Sequence, residues 1–151
     1  MNKIFILLGI LLFLPVVLAV NENGKITAGK DLWIIDMDVK VDGRTSRNLE
    51  YGEDITKEAN PNSKIEFDIE IKNNHTGLTM EDVSVFVTLD DLELEDISSE
   101  IDISPSNDRN FDLEFTLSSA EEGEYDILIE VEGEINNSMH RVKYELTLIV
   151  V

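Results

Sequence analysis

From Lys64 to Lys72 the chain alternates without a break. Ile65, Phe67, Ile69 and Ile71 fall on one parity, and Glu66, Asp68, Glu70 and Lys72 on the other. Successive side chains of an extended chain point to opposite faces, so this stretch makes a strand with one oily and one wet side. An amphipathic helix needs apolar residues three and four apart, and that spacing is absent here.

The same parity recurs along the chain. It predicts strands at Leu32–Val41, with Trp33, Ile35, Met37, Val39 and Val41 inward, and at Asp82–Asp90, with Val83, Val85, Val87 and Leu89 inward. Further strands follow over Asn110–Leu117, from Tyr125 to Val131, and from Val142 to the end. Leu92–Ile103 sets its apolar residues among acids and reads as one or two short edge strands, since acids blunt unwanted pairing. Asp42-Gly43, Asn74–Thr79, Ser104–Asp108, Ser118–Glu124 and Gly133–Ser138 carry turn chemistry, and Met80 is expected to tuck inward. About seven strands at this spacing describe an all-β, two-sheet sandwich. Arg44–Ser63 is a long connection with a brief strand expected near Ile55, and its length marks it as an ordered excursion or a functional loop.

Lys3 is the only charged side chain among the first 21 residues, and it precedes the apolar run Ile4–Leu14, then Pro15 and Val16-Val17-Leu18-Ala19. A positive start, an apolar centre and short residues at the end describe a secretory signal peptide over residues 1–19, cleaved after Ala19. The alternative is an uncleaved membrane anchor, for which the 17 residues Ile4–Val20 are barely long enough and Pro15 is a break. Residues 20–31 read as a flexible leader and 32–151 as one domain.

There is no cysteine, which excludes thiol catalysis, cysteine zinc sites and disulfides. The net charge of −20, from 32 acidic and 12 basic residues, repels phosphate backbones and anionic lipid, so no nucleic-acid partner is expected. A membrane contact is expected only if the signal segment stays as an anchor.

The order of a strand, Asn60-Pro61-Asn62-Ser63, and then a strand ending Lys72-Asn73-Asn74 resembles the opening of CARDB-like and related archaeal surface-layer-associated β-sandwich modules. Gly123-Glu124-Tyr125 is similar to the Gly-x-Tyr entry to their penultimate strand. The likeness runs over roughly Leu32–Val151 and departs from the pattern at Asn62, where that family often has glycine. It implies an immunoglobulin-like fold, an extracellular or cell-surface location, structural or adhesive contacts with other envelope proteins, and no catalysis or cofactor.

Candidate sites are few. Asn74-His75-Thr76 and Asn136-Asn137-Ser138 match the N-glycosylation acceptor, and both fall in predicted loops. Asp90-Asp91, Glu93, Glu95 and Asp96, and separately Glu121, Glu122 and Glu124, raise a calcium hypothesis, but no loop offers a converging set of six or more oxygens, so no metal site is expected. Tyr125 is placed to be a tyrosine corner. Trp33 is assigned to core or edge packing, and sugar stacking would put it on the wrong face. Ile34, Phe86, Leu128 and Ile149 fall on the wet parity and would suit a partner if they adjoin. The final strand is expected to be an edge open to self-association. His75 and His140 stand apart, and no Gly-x-Ser-x-Gly, phosphate-binding or zincin motif occurs, so no enzyme is expected. An extracellular carbohydrate- or cation-binding protein using the Arg44–Ser63 excursion is the second reading, and an accessory domain left by a larger enzyme the third.

Overall fold

The computed structural model describes residues 31–118 and 120–151, together with the backbone of two short antiparallel strands, β1 (Ala19–Val20) and β2 (Ile26–Thr27). The signal segment and most of the 20–31 leader lie outside the described residues.

The alternating runs form the long strands β3 (Leu32–Val41), β6 (Lys64–Asn73), β7 (Met80–Leu89), β10 (Asp108–Thr116), β11 (Gly123–Ile135) and β12 (Ser138–Val150). Short strands β4 (Arg44–Ser46), β5 (Glu53–Asp54), β8 (Leu94–Ile97) and β9 (Ile101–Ile103) fill the connections, with one 3-10 turn at Asp90–Leu92. One sheet has the order β10-β6-β3-β4; the other has β5-β12-β11-β7-β8, with β9 also pairing β7. This is the strand order of an immunoglobulin-like sandwich, in which β3, β6 and β10 face β12, β11 and β7. Ile65, Phe67, Ile69 and Ile71 of β6 are buried, as are Val142, Tyr144, Leu146, Leu148 and Val150 of β12, and together they fill the space between the sheets.

Two turns show why particular residues stand where they do. Asp42 and Gly43 both have positive φ (50° and 77°), the conformation a two-residue hairpin requires, and Asn136-Asn137 repeats it at 51° and 60°. The β11–β12 hairpin is therefore tighter than the expected Gly133–Ser138 turn, because ladder pairing continues to Ile135↔Ser138. Asn62 has φ 71° and follows Pro61 in a turn closed by Ser63 N–H to the Asn60 carbonyl at 2.9 Å. Proline then a left-handed residue is the type II arrangement, which explains why asparagine serves where the resembling family often has glycine.

The structure corrects the phase of β3. A register shift between Ile34 and Asp36 adds a residue, so Leu32 and Ile34 are buried before it and Met37, Val39 and Val41 after it. Trp33 and Ile35 accordingly do not enter the core; the first half of the strand has the parity opposite to that predicted. Ile34, expected to be wet, is 2% exposed. A perfect alternation read across a bulge assigns one half of the strand to the wrong face. In the Leu92–Ile103 region only Ile103 is buried, and Ile97 stays 49% exposed, as suits an edge.

Arg44–Ser63 is ordered. After β4, the chain turns with Leu49 N–H on the Met37 carbonyl, then runs parallel to β12 with Glu53 beside Leu146 and Asp54 beside Thr147. The expected strand near Ile55 is thus two residues earlier, and Ile55 itself is buried against the core.

Candidate interaction surfaces

Three surfaces carry more chemistry than packing needs. The first is the end of the sandwich where β6 meets β7 and β11 meets β12, brought together by the pairing of Glu81 with Glu134. Asn73 organises it. This residue is wholly buried, and its amide donates to the carbonyls of Leu78 and Ile103, each at 2.9 Å. Its side-chain oxygen accepts from His75 N–H at 2.9 Å, and its backbone N–H reaches the Asn107 carbonyl at 3.0 Å. The side chain thus ties the 74–79 loop to β9, and the backbone of the same residue adds the 104–107 turn. His75 continues the pattern: its Nδ1 accepts from the amides of Gly77 and Leu78 at 3.1 and 2.9 Å. Rigid loops on a rigid scaffold are where recognition residues usually sit.

Both glycosylation tripeptides lie at this end. Asn74 is half-buried with Thr76 exposed, whereas Asn136 and Ser138 are both exposed in the hairpin turn. Leu78 and Met139 are exposed there too, by 37% and 52%. At the opposite end the Tyr125 hydroxyl accepts from Glu121 N–H at 3.0 Å and donates to the Glu121 carbonyl at 2.9 Å. That tie to backbone four residues upstream has the geometry of a tyrosine corner.

The second surface is on the outer side of the larger sheet. Thr88, Asp90, Asp91, Asp126, Leu128 and Glu145 line a depression of about 310 Å³. Sequence reading picked out Asp90 and Asp91 but missed Asp126 and Glu145, which join them only through the register of β7, β11 and β12. Glu93, Glu95 and Asp96 disperse: Glu93 and Glu95 border a neighbouring hollow, and the Asp96 carboxylate accepts Glu114 N–H at 2.8 Å, covering the edge of β10. Among the described residues no group of three acids or histidines is placed to hold a metal ion. On the same face Phe86 pairs with Ile97, and Leu128 sits diagonally across from Phe86, so two of the four predicted wet apolar residues adjoin. Ile149 is four ladder positions from Leu128, where Leu128 pairs Glu145 and Ile149 pairs Glu124. The ion pairs Lys143–Glu130 and Arg141–Glu132 flank this strip.

The third surface is the outer side of the smaller sheet. Asp38, Asp68 and Asp112 stand directly opposite one another on three strands, and Asp36 faces Glu70 in the next row. Partial burial, then the charges of Asp112 and Asp38, raise the Asp68 carboxyl above its ordinary value, with only Lys40 opposing. Partial burial and a hydrogen bond with Asp108 raise Glu70 likewise. Like charges in directly opposed positions destabilise a sheet. The Asp42 carboxylate, by contrast, is held below its usual range by the Ser63 hydroxyl and Lys64 N–H, which donate to it at 2.7 and 2.9 Å. Trp33 shares the outer parity of this sheet beside its pairing partner Lys72.

No family model matches this chain, and no curated protein matches it. Among solved structures, the crystal structure of the C-terminal domain of Wzt is similar, with a TM-score of 0.54 at 14% identity over 82% of this chain and 75% of that one. At that identity the likeness shows the fold alone, a β-sandwich.

Proposed function

We propose that this chain is an exported, non-catalytic β-sandwich module that makes structural or adhesive contacts with envelope proteins at the cell surface, in the manner of CARDB-like modules. The observation that carries the reading is the loop end organised by Asn73, a polar, cross-tied platform projecting two connections from a rigid sandwich. The apolar run after Lys3 supports export, and both acceptor asparagines share that end, where an oligosaccharide would not disturb the core. The acidic outer faces keep such a module soluble and away from anionic surfaces.

Fractionating the producing cells tests the reading, with mass spectrometry of the recovered protein. Recovery outside the cytoplasm, with a new N-terminus at Val20 and hexose-sized mass increments on Asn74 or Asn136, is the expected result. A full-length cytoplasmic protein would overturn it.

The second reading, an extracellular carbohydrate-binding protein, is favoured by one feature. The Thr88–Glu145 depression sets planar carboxylates around an apolar floor at Leu128, which suits a neutral, hydroxyl-rich ligand better than a cation. The Arg44–Ser63 excursion is built into the fold and offers no binding loop. A glycan array showing selective retention, lost in Leu128→Glu, would favour this reading over the first.

A further inference from the structure

The strap from Leu49 to Ala59 lies along the outer edge of β12. Gly52 N–H donates to the Glu145 carbonyl, Ile55 N–H to Thr147 and Ala59 N–H to Ile149, each at 2.8 Å, and Val151 N–H returns to Ala59 at 2.9 Å. These bonds satisfy outward backbone groups of the second half of β12. Along the other half, Ser138–Tyr144, no strand pairs the outer edge among the described residues, and the outward side chains there include Arg141 and Lys143.

The division follows the chemistry. Charged side chains protect an edge without further cover, whereas Leu146-Thr147-Leu148-Ile149-Val150-Val151 has no charge, proline or glycine and a high preference for strand. The half that most invites another strand is the half that is covered. Few of its side chains enter the core. Leu49, Ile55 and Ala59 are its only buried residues, while Glu50, Gly52, Glu53, Asp54, Thr56 and Glu58 are exposed. Side-chain ties come from Ser46 to Thr56, from Arg44 to the Glu58 carbonyl, from Tyr51 to the Glu145 carboxylate, and from the buried Tyr144 hydroxyl, which donates to the Leu49 carbonyl at 2.7 Å with the Tyr51 ring edge-on to it.

We propose that residues 49–59 guard the β12 edge, and that their release makes Glu145–Val151 an acceptor for an extended strand from a second copy of this chain. A second copy is the occupant because the uncovered segment is its own best partner: β-branched, uncharged strands of one sequence pair in register and interdigitate. The strap shows that this edge already accepts a strand running parallel to β12. The inference concerns the folded domain and holds whether or not the chain is exported.

The absence of cysteine makes the test clean. Asp54 and Thr147 are register partners, so an Asp54→Cys/Thr147→Cys protein can be locked by oxidation and freed by reduction. Both forms, and Ile55→Asp in the parent chain, are incubated at high concentration in mild urea, where near-UV circular dichroism remains native. Association is read by sedimentation velocity. The reduced pair and Ile55→Asp should form concentration-dependent oligomers, and the locked form at least tenfold fewer. Equal association of locked and reduced forms would overturn the proposal. So would a native-like Ile55→Asp protein that stays monomeric at every concentration.

Discussion

Replacing Asn73 by alanine should be among the most damaging single changes in the chain. The substitution removes two amide donors and one acceptor, stranding the Ile103 and Leu78 carbonyls and the His75 amide. The bond to Ile103 is fully buried, so losing it costs the desolvation of a carbonyl, about 1–3 kcal/mol. The other two partners are part-buried and recover some water, which limits each loss to about 0.5–1 kcal/mol. The total is about 2–5 kcal/mol, against a typical domain stability of about 5–15 kcal/mol. For a domain near this size, that lowers Tm by roughly 8–20 °C. Urea titrations followed by circular dichroism, compared with Asn74→Ala as the neighbouring control, measure it. Asn73→Asp sharpens the logic: it keeps an acceptor for His75 N–H but replaces the nitrogen that carries both donors with an oxygen that faces two carbonyls. It should therefore be at least as destabilising at neutral pH. A cost below about 1 kcal/mol for Asn73→Ala would show that the loop end is held by something other than this amide.

Four more outcomes are expected. A Cβ on Gly133 would lie 2.8 Å from Met80 Cγ and 3.0 Å from Val83 Cγ2, so Gly133→Ala should destabilise by about 1–3 kcal/mol, readable in the same titration. Asp68→Asn should stabilise the protein at pH 7 by about 0.2–1 kcal/mol, because it removes the centre of a like-charge row. The pH dependence follows in sign: Asp68 and Glu70 have raised folded values, so the native state takes up protons first and gains stability as pH falls from neutral toward the carboxylate range. Asp42 is depressed, so its contribution persists in that window and is lost only below the ordinary aspartate value. Thermal melts from pH 7 to 3 should rise and then fall, with a smaller rise in Asp68→Asn. Tyr125→Phe loses a half-exposed tie and should cost about 0.5–1.5 kcal/mol, toward the lower end because water can replace the hydroxyl.

What could be read from the residues was what period two encodes. The inward sides of β6, β10, β11 and β12 follow parity, because each buries one face; in β7 parity holds from Val83 to Leu89, while Met80 is buried across a register shift. The Asp42-Gly43 hairpin was legible for the same local reason: its residues tolerate the left-handed backbone that the turn needs. The phase of Trp33 was not legible, since a bulge leaves parity intact on either side and announces itself only through pairing with β6. The strap was legible only as an ordered excursion or a loop, because its burial rests on Leu49, Ile55 and Ala59, too sparse a set to show periodicity. Sites suffered most. The grouping of Asp126 and Glu145 with Asp90 depends on strand register, and Asn73 looked like the polar end of a strand. The Lys72-Asn73-Asn74 ending was the available signal, since a buried asparagine at a strand end has to find partners for its whole amide.

The central claim is that alternate residues leave water, with changes of phase at the bulge in β3 and between Met80 and Val83 in β7. Single cysteines placed along β6 and β3 in this cysteine-free chain, and labelled with a water-soluble thiol reagent, test it residue by residue. Positions 65, 67, 69 and 71 should resist labelling while 66, 68, 70 and 72 react; in β3, positions 32 and 34 and then 37, 39 and 41 should resist. Reactivity that repeats every three or four residues, or protection at 33 and 35 with reaction at 34, would contradict the account.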